Sequence, residues 1–323
     1  MIVYNGYETH TSYNCMLGCI ENYLKYYGVN VSDTDLFFAC DGFELHYDNK
    51  EDEEDNLYIR NDYVSVLSEM GISCRWDYVK NKKEELKDIL ICLVKRETPI
   101  IISLDTGKLT YESVFVRNKP TDHCFNLIGY DLDKDMFCIS DSFIPANIPY
   151  SKQLWLDAAE IIEAWNENRQ IMILSGFNKC IDYEVDIQKS VQNQLIKYMT
   201  GKKTKDSYEG KDAIKEYIKD MKKKIHRDNM VPSVIEMNYQ LRVKGFYTAR
   251  EYLLSFYKSY GYKNEEEKMM ELLEEWKKSG LIMIKNAFSG KCDFISTKLD
   301  YFLSLCECEE KLFAKTIDKL EMI

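Results

Sequence analysis

Proline and histidine are scarce in this chain, five and four among 323 residues, and several larger features are missing. No run of about 18 apolar residues occurs, so no segment is expected to span a bilayer. The opening residues, Met1 to Glu8, lack the basic and apolar regions of a secretory signal. Positive charge is in deficit, with a formal net charge of −11. Nucleic acid is therefore excluded as the main partner, because phosphate binding favours a basic surface. Neither a glycine-rich phosphate loop nor a dinucleotide fingerprint is present. Eleven cysteines are present, but the odd count and irregular spacing do not suggest a disulfide framework. Cys306 and Cys308 lie too close together for a zinc knuckle and have no second ligand pair. Reduced thiols, a cytoplasmic location and no metal or cofactor are the expectation.

From Asn14 to Tyr27 apolar residues recur at helical spacing (Met16, Leu17, Ile20, Tyr23, Leu24, Tyr27). Thr11, Ser12 and Asn14 are candidate caps, and Gly28 is a stop. The pattern predicts further helices over 58–70, 82–96 and 154–165, and strands over 72–79, 100–104 and 171–174. An exposed acidic loop is expected from Asp48 to Asn56. After Cys180 the chain turns rich in Lys and Glu, with Pro232 as its one proline. Segments 186–199, 210–225, 231–243, 245–260, 264–279 and 297–321 read as helices, broken near Gly201, Gly261 and Gly280. A short hairpin is expected around Ser289-Gly290. The predicted architecture is α+β: a catalytic domain over 1–180, then an all-helical domain over 181–323.

The stretch from Asp122 to Asp131, followed by Phe137 to Asp141, reads as two apolar strands around a polar turn. Folded about residues 132–133, the hairpin brings His123 close to Asp141, where a carboxylate can orient an imidazole. Cys15, at a predicted helix start, supplies an upstream nucleophile whose thiolate the helix N-terminus would stabilise. The order Cys15, His123, Asp141 is that of papain-like enzymes, and the Cys15 amide is a candidate oxyanion donor. Taken singly, such a Cys is most often a small buried hydrophobe. A lone His on a strand and an Asp at a strand end are commonly structural as well. Cys19, one turn further on, is the rival nucleophile but has fewer free amides. Cys124 alternates to the opposite strand face from His123 and reads as core. His10 is a candidate for the site mouth, whereas His46 and His226 have no companions.

These residues also resemble a known family. The carriers are Tyr13-Asn14-Cys15, the step to Gly28 in Tyr26-Tyr27-Gly28-Val29, Val31-Ser32-Asp33, the run from Thr98 to Asp105, Asp122-His123 through Gly129-Tyr130-Asp131, and Ser140-Asp141. Over roughly residues 7–178 they resemble the N-terminal domain of butirosin-biosynthesis protein H (BtrH-like) proteins. The resemblance implies a papain-like fold, distantly similar to bacteriocin-processing peptidases, with the cysteine machinery turned to synthesis. The implied reaction moves an acyl group from the phosphopantetheine thioester of an acyl or peptidyl carrier protein to a small amine, in antibiotic or nonribosomal peptide biosynthesis. A similar homologue is implied in amide formation for thioamide-type nonribosomal peptides. By motif, Cys15 matches the nucleophile, His123 the general base and acid, and Asp141 the orienting carboxylate. Asp105 lies in a matching segment without an assigned step. Asn14 stands where many members have histidine, and Thr9 where papain-like peptidases carry an oxyanion glutamine.

The expected function is thus a cysteine acyltransferase working through an acyl-Cys15 enzyme. The phosphopantetheine enters as part of the carrier-protein substrate. The alternatives are a cysteine peptidase or thioesterase using the same triad, and a non-catalytic binding module. The tract Lys219 to Arg227 is either a docking patch for an acidic carrier protein or a solvated helix face.

Overall fold

A computed structural model describes residues 1–49, 56–96, 99–117, 120–146, 148–177, 186–225 and 230–322. The strands are β1 (Ile2–Val3), β2 (Leu45–Asp48), β3 (Asn56–Ile59), β4 (Ser73–Tyr78), β5 (Ile100–Asp105), β6 (Asp122–Asp131), β7 (Met136–Ile144), β8 (Tyr150–Asp157), β9 (Gln170–Ser175), β10 (Lys202–Lys203) and β11 (Ser207–Glu209). The helices are α1 (Cys15–Tyr26), α2 (Asp33–Ala39), α3 (Tyr63–Glu69), α4 (Lys83–Val94), α5 (Ser113–Arg117), α6 (Ala158–Asn168), α7 (Ile187–Thr200), α8 (Lys211–Ile225), α9 (Met230–Val243), α10 (Phe246–Ser259), α11 (Lys263–Phe288) and α12 (Cys292–Leu320). The chain forms two compact units, Met1–Leu36 with Tyr63–Glu184, and Phe37–Asp62 with Val185–Ile323. The expected boundary at 180/181 lies outside the described residues. Unlike a single cut there, the observed division places Phe37–Asp62 with the C-terminal helices.

The first unit is an antiparallel sheet in the order β4-β9-β5-β6-β7-β8, with β1 added beside β6. β6 and β7 form the expected hairpin, but its tip runs between paired Asp131 and Met136, and a bulge shifts the register between Leu127 and Gly129. α1 lies along β6 and β7. Asn14 caps it by accepting from the Leu17 amide at 3.0 Å. Gly28, at φ +81°, ends it in the left-handed region where a side chain is strained. Glycine inside a helix costs about 0.5–1 kcal/mol, yet Gly18 is required: a Cβ there would fall 2.5 Å from Ser142 Oγ. The helix can approach β7 only because that atom is missing.

Two expectations for the first 180 residues fail. Residues 58–70 hold the end of β3 and the short α3, not one helix; residues 154–157 extend β8, so α6 begins only at Ala158. Tyr58 and Ile59 are β-favouring residues paired across to His46 and Leu45, and that pairing outweighs the helical spacing downstream.

The second unit is not all-helical: β10-β11-β2-β3 make a four-stranded antiparallel sheet. Strands of two to four residues carry too little alternation to be read from sequence. Nor does Gly280 break a helix, since α11 runs from Lys263 through to Phe288. A Cβ on Gly280 would meet Asn238 Oδ1 at 2.3 Å, so this glycine serves the close approach of α11 to α9. The expected hairpin at Ser289-Gly290 is a turn between two helices.

The core of the second unit contains an ion pair. Arg250 donates from Nη2 to Glu309 Oε2 at 2.7 Å and from Nε to Oε1 at 3.2 Å. The two side chains are 1% and 0% exposed. Nη2 also reaches the Tyr198 hydroxyl at 3.1 Å, and the guanidinium lies 3.6 Å from the Phe246 ring centre. Removing one partner strands a buried charge. Arg250→Leu is expected to lower unfolding stability by about 3–5 kcal/mol, measured by urea denaturation. The double change Arg250→Leu with Glu309→Leu should recover most of that loss.

Candidate active site

Cys15 is the first residue of α1, and the cap leaves its backbone amide with no acceptor among the described residues. The helix and β6 advance together. Cys15 interacts with His123 and Cys124, and one turn on the Cys19 carbonyl accepts from Asn126 Nδ2 at 3.1 Å. Four helical residues rise about 6 Å, and two strand residues cover nearly the same distance, about 7 Å. The pairing therefore stays in step along the helix. Ser142 Oγ donates to the Cys15 carbonyl at 3.3 Å and ties the same turn to β7.

His123 Nε2 lies 2.9 Å from Asp141 Oδ1. The other ring nitrogen, Nδ1, is left for Cys15, with which the ring also interacts. The Asp141 side chain is 0% exposed and is held by three donors. Oδ1 also accepts from the Phe143 amide at 3.0 Å, and Oδ2 accepts the Tyr111 phenol proton at 2.6 Å. Phe115 and Phe125 pack on the imidazole, with ring centres at 5.3 and 4.6 Å.

The electrostatics favour a separated charge pair. The Cys15 thiol is held well below its ordinary range, first by a hydrogen bond from the Cys124 thiol, then by the His123 charge and ring and the Cys124 amide; burial opposes them. For His123, burial acts to lower the pKa, but the charges of Asp141 and Cys15 outweigh it and raise it to about 10. Cys124 is pushed well above the thiol range, first by its bond to Cys15 and then by burial. It remains an S–H donor, and the Tyr111 phenol, raised by burial and by Asp141, remains an O–H donor. At neutral pH the favoured state is a Cys15 thiolate beside a His123 imidazolium.

Cys15, His123 and Asp141 thus come together. Cys19 does not join them: it is fully buried, and burial raises its thiol well above the usual range. Cys124 is buried, as expected of a core residue, but its thiol touches Cys15 and so belongs to the site. Its adjacency to His123 was the available signal. Tyr111 had none, being one of 24 tyrosines in an unmarked loop. Asp105 caps a turn, accepting from the Gly107 amide at 2.8 Å. His10 lies 3.8 Å from Glu8 and takes no part in the triad's hydrogen bonds, and His46 stacks on Tyr58 in the second unit. His226 and Thr98 lie outside the described residues. Thr9 donates to Ser140 Oγ at 2.8 Å.

Among the described residues, no group of three His, Cys, Asp or Glu side chains could hold a metal ion, and no helix is long and apolar enough to cross a membrane. A lowered thiol pKa means that the thiolate persists as pH falls. Iodoacetamide should therefore alkylate Cys15 at pH 6 faster than it alkylates free cysteine. Cys124→Ala removes the leading stabiliser of that thiolate, so the acid limb of the rate profile should move to higher pH.

No curated protein matches the chain. The model of the Peptidase_C39-like family matches residues 3–173, a span that contains Cys15, His123, Asp141 and all but the last two residues of the sheet's final strand. That span is more than half of the chain, and the chain belongs to the Peptidase_C39-like family of the papain-like cysteine-protease superfamily.

Proposed function

We propose that the protein is a cysteine acyltransferase that forms amides, with Cys15 as nucleophile, His123 as acid and base, and Asp141 as the carboxylate orienting His123. The observation that carries this reading is the thiolate–imidazolium pair at the start of α1, with a fully buried carboxylate behind it. The Cys15 sulfur attacks a thioester carbonyl carbon, and the C–S bond to the phosphopantetheine sulfur breaks. That sulfur leaves as a thiol with the proton from His123. A primary amine then attacks the acyl-Cys15 carbonyl while His123 takes its proton. The Cys15–carbon bond breaks, which restores the thiolate and releases the amide.

The oxyanion side supports an activated substrate. The Cys15 amide is one free donor at the helix start. Thr9, where a peptidase would carry glutamine, has its hydroxyl committed to Ser140. A thioester is already activated and tolerates a lean oxyanion site better than an amide does. The resemblance to BtrH-like proteins points to a carrier protein as donor, a small amine as acceptor and antibiotic or nonribosomal peptide synthesis as the setting. The tract from Lys219 reads better as a solvated helix face than as the docking patch. Lys219, Lys222 and Lys223 pair with Glu216, Asp300 and Asp220, and His226 and Arg227 lie outside the described residues.

The peptidase character of the family favours hydrolysis as a second reading. With an acyl-loaded carrier protein, intact-mass analysis should show an acyl adduct on the wild type and on Cys19→Ala, and none on Cys15→Ala. A supplied amine should yield amide; free acid as the only product, whatever the amine, would establish the hydrolase instead.

A further inference from the structure

The site contains a side chain that the triad does not include, and its surroundings assign it a task. Asp141 Oδ1 has two donors, His123 Nε2 and the Phe143 amide. Oδ2 has one among the described residues, the Tyr111 hydroxyl at 2.6 Å. A carboxylate with no exposure must obtain its solvation from such donors. The segment that carries Tyr111 is fixed on both sides. Before it, Thr110 gives its amide and hydroxyl to Glu160 Oε1, at 2.7 and 3.1 Å. After it, Glu112 pairs at 2.8 Å with Lys152, the residue directly opposite Asp141 in the β7–β8 ladder. The ring itself packs edge-on to Phe115 at 5.4 Å and Phe125 at 6.4 Å, the two rings that also hold His123. A loop anchored in this way aims one phenol at one oxygen.

We propose that Tyr111 is a positioning residue of the active site, a fourth member behind Asp141. Its O–H holds Oδ2, so that Oδ1 stays in line with Nε2 and His123 keeps Nδ1 turned to Cys15. This assignment rests on the acid–base reading of His123 and Asp141 given above. Without the phenol, Oδ2 is left bare in an apolar pocket. The carboxylate then loses the contact that fixes its plane, and Oδ1 can turn out of line with Nε2. The imidazolium is held less firmly against Cys15, and its charge stabilises the thiolate less.

Tyr111→Phe removes the donor and keeps the ring and both loop anchors. The measurement is the pH profile of Cys15 alkylation by iodoacetamide on the full-length chain, beside His123→Ala and Asp141→Asn. The acid limb of Tyr111→Phe is expected to move up by roughly one pH unit, a tenfold loss of thiolate at the same pH. The far-downfield Nε2 proton of His123 should move upfield in the ¹H spectrum of ¹⁵N-histidine-labelled protein. As a second probe, 3,5-difluorotyrosine at position 111, a stronger donor of the same shape, should shift the acid limb the opposite way. A Tyr111→Phe profile that superimposes on wild type while Asp141→Asn is displaced overturns the role of Tyr111 alone. Profiles unmoved in all three variants overturn the acid–base reading and this proposal with it.

Discussion

A carboxylate excluded from water is costly unless donors replace its solvation, and the first unit of this protein is arranged around one, Asp141. Its three hydrogen bonds among the described residues come from separate parts of the unit: a strand histidine, a backbone amide two residues on, and a loop tyrosine. Because the group is fully buried, its negative charge acts through a medium of low dielectric and is felt strongly by the nearest titratable group. That group is His123, which is held as an imidazolium against the penalty of its own burial. The imidazolium in turn helps to keep Cys15 ionised. The charge on the sulfur is thus sustained from the carboxylate through the ring, with the Cys124 thiol and amide adding donors.

This arrangement depends on two close approaches of backbone. Gly18 lets α1 settle on Ser142, which fixes the depth at which Cys15 sits over the start of β6. On the interior strand β6, Gly129 admits β1, where a Cβ would meet the Ile2 carbonyl oxygen at 2.7 Å. Near Gly129 the β6–β7 register shifts, so residues on the near side of the bulge keep one offset and those by the turn another. The pairing of Asn126 with Ser140 carried one residue on puts Asp141 opposite Phe125, two strand positions from His123. His123 and Asp141 share a face and meet diagonally rather than head-on.

Much of this was legible in the chain. The helix from Asn14 to Gly28 was marked by its cap, its spacing and its stop, and the structure follows it to within a residue or two. The β6–β7 hairpin was marked by two apolar runs around a polar turn, so the meeting of His123 with Asp141 followed from pairing alone. Tyr111 was illegible because its place depends on anchors in α6 and β8, far away in sequence. Cys124 was misread because strict alternation was applied to a strand end, where a helix start can reach two neighbouring residues at once. The small sheet of the second unit was missed for another reason. Its strands are very short and are drawn from two distant stretches, 45–59 and 202–209, so no local pattern announces them.

The same electrostatics give the proposed cycle its order. In the resting site His123 holds a proton and Cys15 does not, so the histidine can act only as an acid. The Cys15 thiolate is itself one of the charges that keeps that proton on the ring. Acylation converts the sulfur to a neutral thioester, and this support disappears while burial, which favours the neutral imidazole, remains. The ring's affinity for its proton falls just as a departing thiolate needs one. What is left is a neutral imidazole beside an acylated cysteine, the state required to take a proton from an attacking amine or water. When the acyl group leaves, the thiolate returns and the ring's affinity for a proton rises again. Acid and base roles are therefore assigned by the charge on one sulfur atom, with Asp141 constant throughout.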